Sequence, residues 1–184
     1  MVLFLTRAAP SSDSLDFHGL RSVRLQALPD SPDAFSSSYE RELARTHEDW
    51  RRWMAPAVTF LLECNDEPRG LVAGVRDQHD LEVVHLMAMW VHPDFRGIGA
   101  ADLLVQSVKA WALEVGAAQV RLQVVESNAR ARRCYERAGF RRTGRQGVVE
   151  RTGAVEIEMA CEGRWLLGTK PGASSGERAQ DGTS

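Results

Sequence analysis

The chain has only three cysteines, Cys64, Cys134 and Cys161, and no two of them form a Cys-x-x-Cys pair. An odd number without metal-ligand spacing argues against a disulfide framework and against a structural zinc, and it suits a reducing cytoplasm. A strong charge of one sign is also missing. The formal net charge of −2 over 184 residues gives no bulk electrostatic pull toward nucleic acid. No apolar run approaches membrane-spanning length, and the N-terminal run Val2 to Leu5 is shorter than a signal-peptide core. A soluble cytoplasmic protein with no membrane partner is therefore expected. No internal repeat is visible. Two familiar phosphate-binding fingerprints are absent as well. A Gly-x-Gly occurs at Gly97 and Gly99, but Ala100-Ala101-Asp102 stands where the third glycine of a dinucleotide fold would be, and no Gly-Lys-Ser/Thr follows.

What is present is an ordinary globular composition, 43% hydrophobic and 26% charged. The length suits one domain that buries about 70% of its unfolded surface. The chain is organised around Val91-His92-Pro93-Asp94-Phe95-Arg96-Gly97-Ile98-Gly99-Ala100-Ala101. An apolar run from Leu86 ends at Pro93, which cannot donate a ladder hydrogen bond. From Ala100 onward Leu104, Val108, Trp111 and Val115 recur at helical spacing until Gly116. This is a strand-to-helix turn. Its unpaired N–H groups and the positive end of the helix dipole face one point, and its glycines allow a large anion to come close. Alone, a Gly-x-Gly after a strand is equally a tight connection.

Arg96, Gly99 and Ala101 fit Arg-x-x-Gly-x-Ala, with Pro93 three residues ahead of the Arg. Downstream, Asn128, Ala131, Tyr135, Gly139 and Phe140 fit Asn-x-x-Ala-x-x-x-Tyr-x-x-x-Gly-Phe in every named position. In this order the two segments resemble the GNAT superfamily of acetyl-CoA-dependent N-acetyltransferases, over roughly residues 82 to 145. The resemblance implies an α/β fold in which a mixed central sheet carries flanking helices. A bulged strand would splay from the next parallel strand. It also implies that Arg96, Gly97, Ile98, Gly99, Ala100 and Ala101 hold the pyrophosphate of acetyl-CoA and that Asn128 belongs to the cofactor site. Backbone groups of Met89, Trp90 and Val91 would meet the pantetheine and the acetyl carbonyl, although Trp90 could equally be a core residue under the first helices. Acetyl-CoA is the expected cosubstrate, with no metal.

The rest of the chain fits such a frame. Val2 to Arg7 reads as a strand. A helix capped by Asp13 or Ser14 runs to about Leu28, with Arg21 and Arg24 mostly outside, and Pro29-Asp30-Ser31-Pro32 ends it. A second helical stretch, Ser36 to Met54, breaks near Thr46, where Thr46-x-x-Asp49 resembles a capping box. Val58–Cys64 and Gly70–Arg76 form a hairpin about Asn65-Asp66-Glu67-Pro68. Leu81–Val91 is the next strand, and Gln119–Val125 pairs parallel to it through a helical crossover. A helix capped by Ser127 or Asn128 follows from Asn128 to Ala138 and is closed by Gly139, then comes an antiparallel pair at Phe140–Thr143 and Ala154–Ala160. Residues 1–167 form the domain, and 168–184 are almost free of apolar residues and read as a disordered tail.

Amine acylation needs a base for the ammonium proton, polarisation of the thioester carbonyl and a proton for the departing thiolate. A phenol with a pKa near 10 stays protonated at pH 7, and the family's general acid sits at the position of Tyr135. Many family members carry a glutamate six residues before the valine that corresponds to Val91. Here His85 holds that place. A neutral imidazole can accept the proton, through a water. Strict alternation would place His85 on one face with Met87, Met89 and Val91 unless the bulge intervenes. Glu82 is the rival base if the register slips, solvent is the third option, and His85 is equally read as a buried histidine bound to a backbone carbonyl. The arginines at 130, 132, 133, 137, 141, 142 and 145 form either a solvated helix face or contacts to the 3′-phosphate of coenzyme A. The expected reaction is acetyl transfer to a primary amine of a small molecule. Acetylation of a protein N-terminus or lysine is the alternative within the enzyme class, and a non-catalytic acyl-CoA-binding module the alternative outside it. The net charge argues against nucleic acid as a partner, and the oligomeric state is open.

Overall fold

The computed structural model of the chain describes residues 2–8 and 15–163. The helix cap expected at Asp13 or Ser14 and the tail expected from residue 168 lie outside the described residues. In chain order the elements are β1 (Phe4–Ala8), α1 (Leu15–Asp30), a 3₁₀ turn (Pro32–Ala34), α2 (Tyr39–Leu43) and α3 (His47–Met54). Then come β2 (Ala57–Cys64), β3 (Glu67–Arg76), β4 (Val83–Val91) and a second 3₁₀ turn (Pro93–Phe95). The chain continues through α4 (Ala100–Glu114), β5 (Gln119–Val125), α5 (Ala129–Arg137), β6 (Arg141–Val148) and β7 (Val155–Glu162).

The strands make one sheet in the order β1-β2-β3-β4-β5-β7-β6. Among the described strands only the β4–β5 pairing is parallel, as the long crossover through α4 requires. Asn65 and Asp66, both at positive φ, turn the β2–β3 hairpin with the hand that matches strand twist. Two cores lie on the two faces. Val84, Leu86 and Val91 of β4 pack with Leu104, Val105, Val108 and Tyr135 from α4 and α5. On the other face Leu61, Leu71 and Trp90 pack under Leu20, Val23, Ala27, Trp50 and Met54 from α1 and α3. Gly74 on β3 lets α4 come close, since a Cβ there would sit 3.0 Å from the Trp111 ring. Lys109 of α4 is 4% exposed and donates from Nζ to the Ala138 carbonyl at 2.9 Å, tying α4 to the end of α5.

Several boundaries move for identifiable reasons. The first helix passes through Pro29 to Asp30. A proline in the last turn forfeits a single donor, and the Ser31 N–H still reaches the Ala27 carbonyl at 3.0 Å. Thr46 and Asp49 complete the expected capping box, each side chain bonding the other's backbone N–H. Arg24 corrects an expectation: it is buried, not outside, because Glu42 of α2 binds its Nε at 2.9 Å and its terminal nitrogen as well. The last hairpin is longer than expected, with β6 running to Val148 across an irregularity between Arg142 and Gln146.

Candidate active site

The parallel pair holds together at only three positions, Val83↔Gln119, Val84↔Val120 and His85↔Arg121. Beyond His85 the strands part. On the opposite edge of β4, Ala73 faces Met87 while Leu71 faces Trp90, so β4 carries one residue more than β3. The extra residue sits at Ala88, whose φ is 55°. A left-handed alanine costs about 1–2 kcal/mol, and in a bulge it turns the strand's backbone away from its neighbour. The side-chain alternation changes phase there. Met89 and Val91 pack with the α4 core, whereas Ala88 and Trp90 pack with the α1–α3 core. The bulge therefore intervenes, and His85 does not share a face with Met89 and Val91.

The splay opens a cleft of about 940 Å³. His85, Met87 and Met89 line it from β4, and Asn128, Ala131 and Tyr135 line it from α5 and its cap. Tyr135 is 7% exposed and meets Phe140 edge-on at 5.8 Å. Burial, with Cys134 beside it, raises its phenol pKa well above the ordinary tyrosine value, so the proton stays on oxygen throughout the neutral range. Asn128 caps α5 by accepting from the Ala131 N–H at 3.0 Å. His85 is bound through Nε2 to Asp77 Oδ2 at 2.7 Å. Glu82 is exposed, lies ahead of β4 and is not among the residues lining the cleft.

At the far end of β4, Gly97 and Gly99 have φ of 84° and 90°, and a Cβ on either would meet nothing within 4 Å. Gly99 caps α4 without a side chain, so the first N–H groups of the helix have no side-chain cap. A cradle with two open left-handed glycines before a bare helix start could hold a diphosphate, so the residues present fit acetyl-CoA. The side chain of Arg96 is engaged elsewhere. Its Nε donates to the Val91 carbonyl at 2.8 Å and its terminal nitrogen pairs with Asp30. Asp30 also accepts from Trp90 Nε1 at 2.8 Å and from the Ser31 hydroxyl at 2.7 Å. Burial works against its ionisation, but these hydrogen bonds and the guanidinium outweigh that and hold the carboxyl below its usual value.

The wall opposite β4 joins three segments. Arg24, packed over Phe35 at 4.7 Å and near Trp53 at 5.6 Å, contributes from α1. Phe35, Ser36 and Ser38 come from the loop before α2, and Val148 to Arg151 from the β6–β7 turn. Arg151 fastens that turn across the gap, donating to the carbonyls of Phe35 and Pro32. In the arginine-rich stretch, Arg142 pairs with Glu126 at 3.3 Å, and Arg137 and Arg141 donate to nearby carbonyls. Sequence reasoning missed Asp30, Asp77, Glu42 and Arg151. Only Asp77 left a local trace, as an Asp at the head of the polar Gln78-His79-Asp80 turn.

The acetyltransferase (GNAT) family model matches residues 24–140. An N-acetyltransferase of Mycobacterium tuberculosis H37Rv is 38% identical over 68 residues, which are 37% of this chain and 42% of that protein, so the chain spans under half of that relative. The peptidyl-lysine N-acetyltransferase YjaB of Escherichia coli K12 is 30% identical over 131 residues, 70% of this chain and 78% of YjaB. A solved acetyltransferase of the GNAT family from Streptococcus pneumoniae superposes with a TM-score of 0.70 at 20% identity, over 88% of this chain and 99% of the other. At that identity the likeness is one of fold.

Proposed function

The chain belongs to the acetyltransferase (GNAT) family, and from that premise we propose that it moves the acetyl group of acetyl-CoA to a primary amine of a small molecule. Tyr135 serves as the general acid and His85 as the base. The observation that carries the proposal is the cleft at the β4–β5 splay, which His85 and Tyr135 both line.

Acetyl-CoA supplies an activated acetyl group in this family. The chain's own residues do the rest. Gly97 to Ala101 present backbone N–H groups and the positive end of α4 to the diphosphate. Unpaired backbone groups of β4 beyond the splay, around Met89, accept the thioester arm as an added strand would and polarise its carbonyl. His85 takes a proton from the incoming ammonium through a water, leaving the amine neutral. Tyr135, kept protonated by burial, delivers a proton to the departing sulfur. Within the cleft's outer wall Arg151 joins the β6–β7 turn to the loop before α2, and a wall held in this way suits a compact acceptor.

Purified protein, acetyl-CoA and a panel of amines and lysine peptides, followed by thiol release, test the reading. Small amines should turn over faster than peptides. Tyr135→Phe should lower kcat by about 10²–10⁴ while acetyl-CoA binding is kept. A Tyr135→Phe variant at wild-type speed would make Tyr135 a packing residue. Turnover confined to lysine peptides would move the acceptor to the class in YjaB's name.

A further inference from the structure

We infer that Asp77 is a positioning residue for catalysis: it fixes the tautomer of His85 so that Nδ1 carries the lone pair offered to the acceptor's proton. The inference rests on the reading of His85 as the base.

Asp77 follows the end of β3 and is spatially fixed before His85 touches it. Its Oδ1 accepts from the N–H of His79 at 2.8 Å and from that of Asp80 at 2.9 Å. Its own N–H donates to the Val83 carbonyl at 2.9 Å, closing the turn that returns the chain into β4. The second oxygen, Oδ2, is left to face Nε2 of His85 at 2.7 Å. The hydrogen bond from His85, then those from the two backbone N–H groups, hold the carboxyl well below the usual carboxylate range. An ionised carboxylate only accepts, so the proton of a neutral imidazole must reside on Nε2. Nδ1 then has the lone pair. The side chain remains 36% exposed and lines the cleft. A carboxylate on one ring nitrogen does two things: it orients the ring, and it stabilises the imidazolium that forms when the other nitrogen takes a proton.

Other charges surround the ring. Arg121 lies directly across on β5, with its guanidinium turned to Gln119, and β3 presents the uncharged Val75. Arg24, Arg41, Glu150, Arg151 and Glu156 line the cleft walls. Of these, Arg24 is neutralised by Glu42. Among the described residues, Asp77 alone of the carboxylates is within hydrogen-bond reach of the imidazole.

The test uses the full chain labelled with ¹⁵N-histidine, with the His85 ring assigned by its loss in His85→Gln. The neutral ring should show the Nε2–H tautomer in the wild type and shift toward Nδ1–H in Asp77→Asn, whose amide can donate to Nε2. In the same variant kcat/KM for the amine should fall about 10–100-fold, part of the full general-base contribution. KM for acetyl-CoA should be unchanged, and the acid limb of the rate profile should move to lower pH. An Nδ1–H tautomer in the wild type, or Asp77→Asn with tautomer and acid limb unmoved, would overturn the assignment without touching the base reading. His85→Gln at full rate with the wild type in the Nε2–H form would instead sink the base reading and the positioning role with it.

Discussion

Asp30 collects Trp90, Ser31 and Arg96 at one carboxylate, and through them joins the end of α1 to the end of β4 and the glycine turn. Its side chain is 24% exposed, so these charge-assisted bonds are only partly screened. Asp30→Asn should cost about 1–2 kcal/mol at pH 7. Because the folded carboxyl is held below its unfolded value, this contribution is present above the ordinary carboxyl pKa of about 4 and is lost as pH falls through the folded one. Urea titrations at about pH 7 and pH 3 should show the gap between wild type and variant narrowing in acid. Equal stabilities at neutral pH would mean the cluster adds nothing. Arg96 illustrates how a motif residue can be found while its contacts are not. Spacing located it beside the glycines, but its partner is 66 positions away in sequence, and no local pattern points there.

The strand-to-helix turn is the element on which the proposed cofactor binding depends. Gly99→Val puts a branched side chain into the open space before α4 and asks it to hold a φ of 90°. The variant should still fold, since the added Cβ meets no neighbour. The rise in thermal midpoint that acetyl-CoA gives the wild type should disappear, a loss of about 2.7 kcal/mol at a hundredfold excess over Kd. Undiminished protection would remove the turn from the binding site. Elements of this kind were legible because their signals are local. Pro93, the glycines, the Thr46–Asp49 box and the Asn128 cap all act within a few residues. The bulge was legible only by resemblance. Its extra residue is an alanine, and nothing in Leu86 to Val91 marks Ala88 as left-handed. The phase change it imposes on His85 was accordingly hidden. Arg24 was misplaced for a related reason: helical spacing put it mostly outside, and burial came from Glu42 on another helix.

At the scale of the whole molecule, two cores press on one sheet, and the sheet opens where the parallel pair β4–β5 lets go. The parallel pairing follows from the crossover, and the opening follows from the resemblance that the two motifs carry. The outer wall does not, because Arg151 meets Phe35 across 116 positions. One packing detail bears on how such a molecule survives its own reagent. Stray acylation threatens any protein that handles thioesters, and lysine is its usual victim. The only lysine among the described residues is Lys109, sealed between α4 and α5, and the other long cations there are arginines, whose guanidinium groups stay protonated and resist acylation. Burial lowers the Lys109 pKa and so favours its neutral, nucleophilic form, which leaves its protection to access alone. Acetic anhydride should therefore spare Lys109 in the folded protein and label it in denaturant, read by peptide mass spectrometry. Equal labelling in both states would mean that the α4–α5 seam opens readily; protection makes the fold its own shield against self-modification.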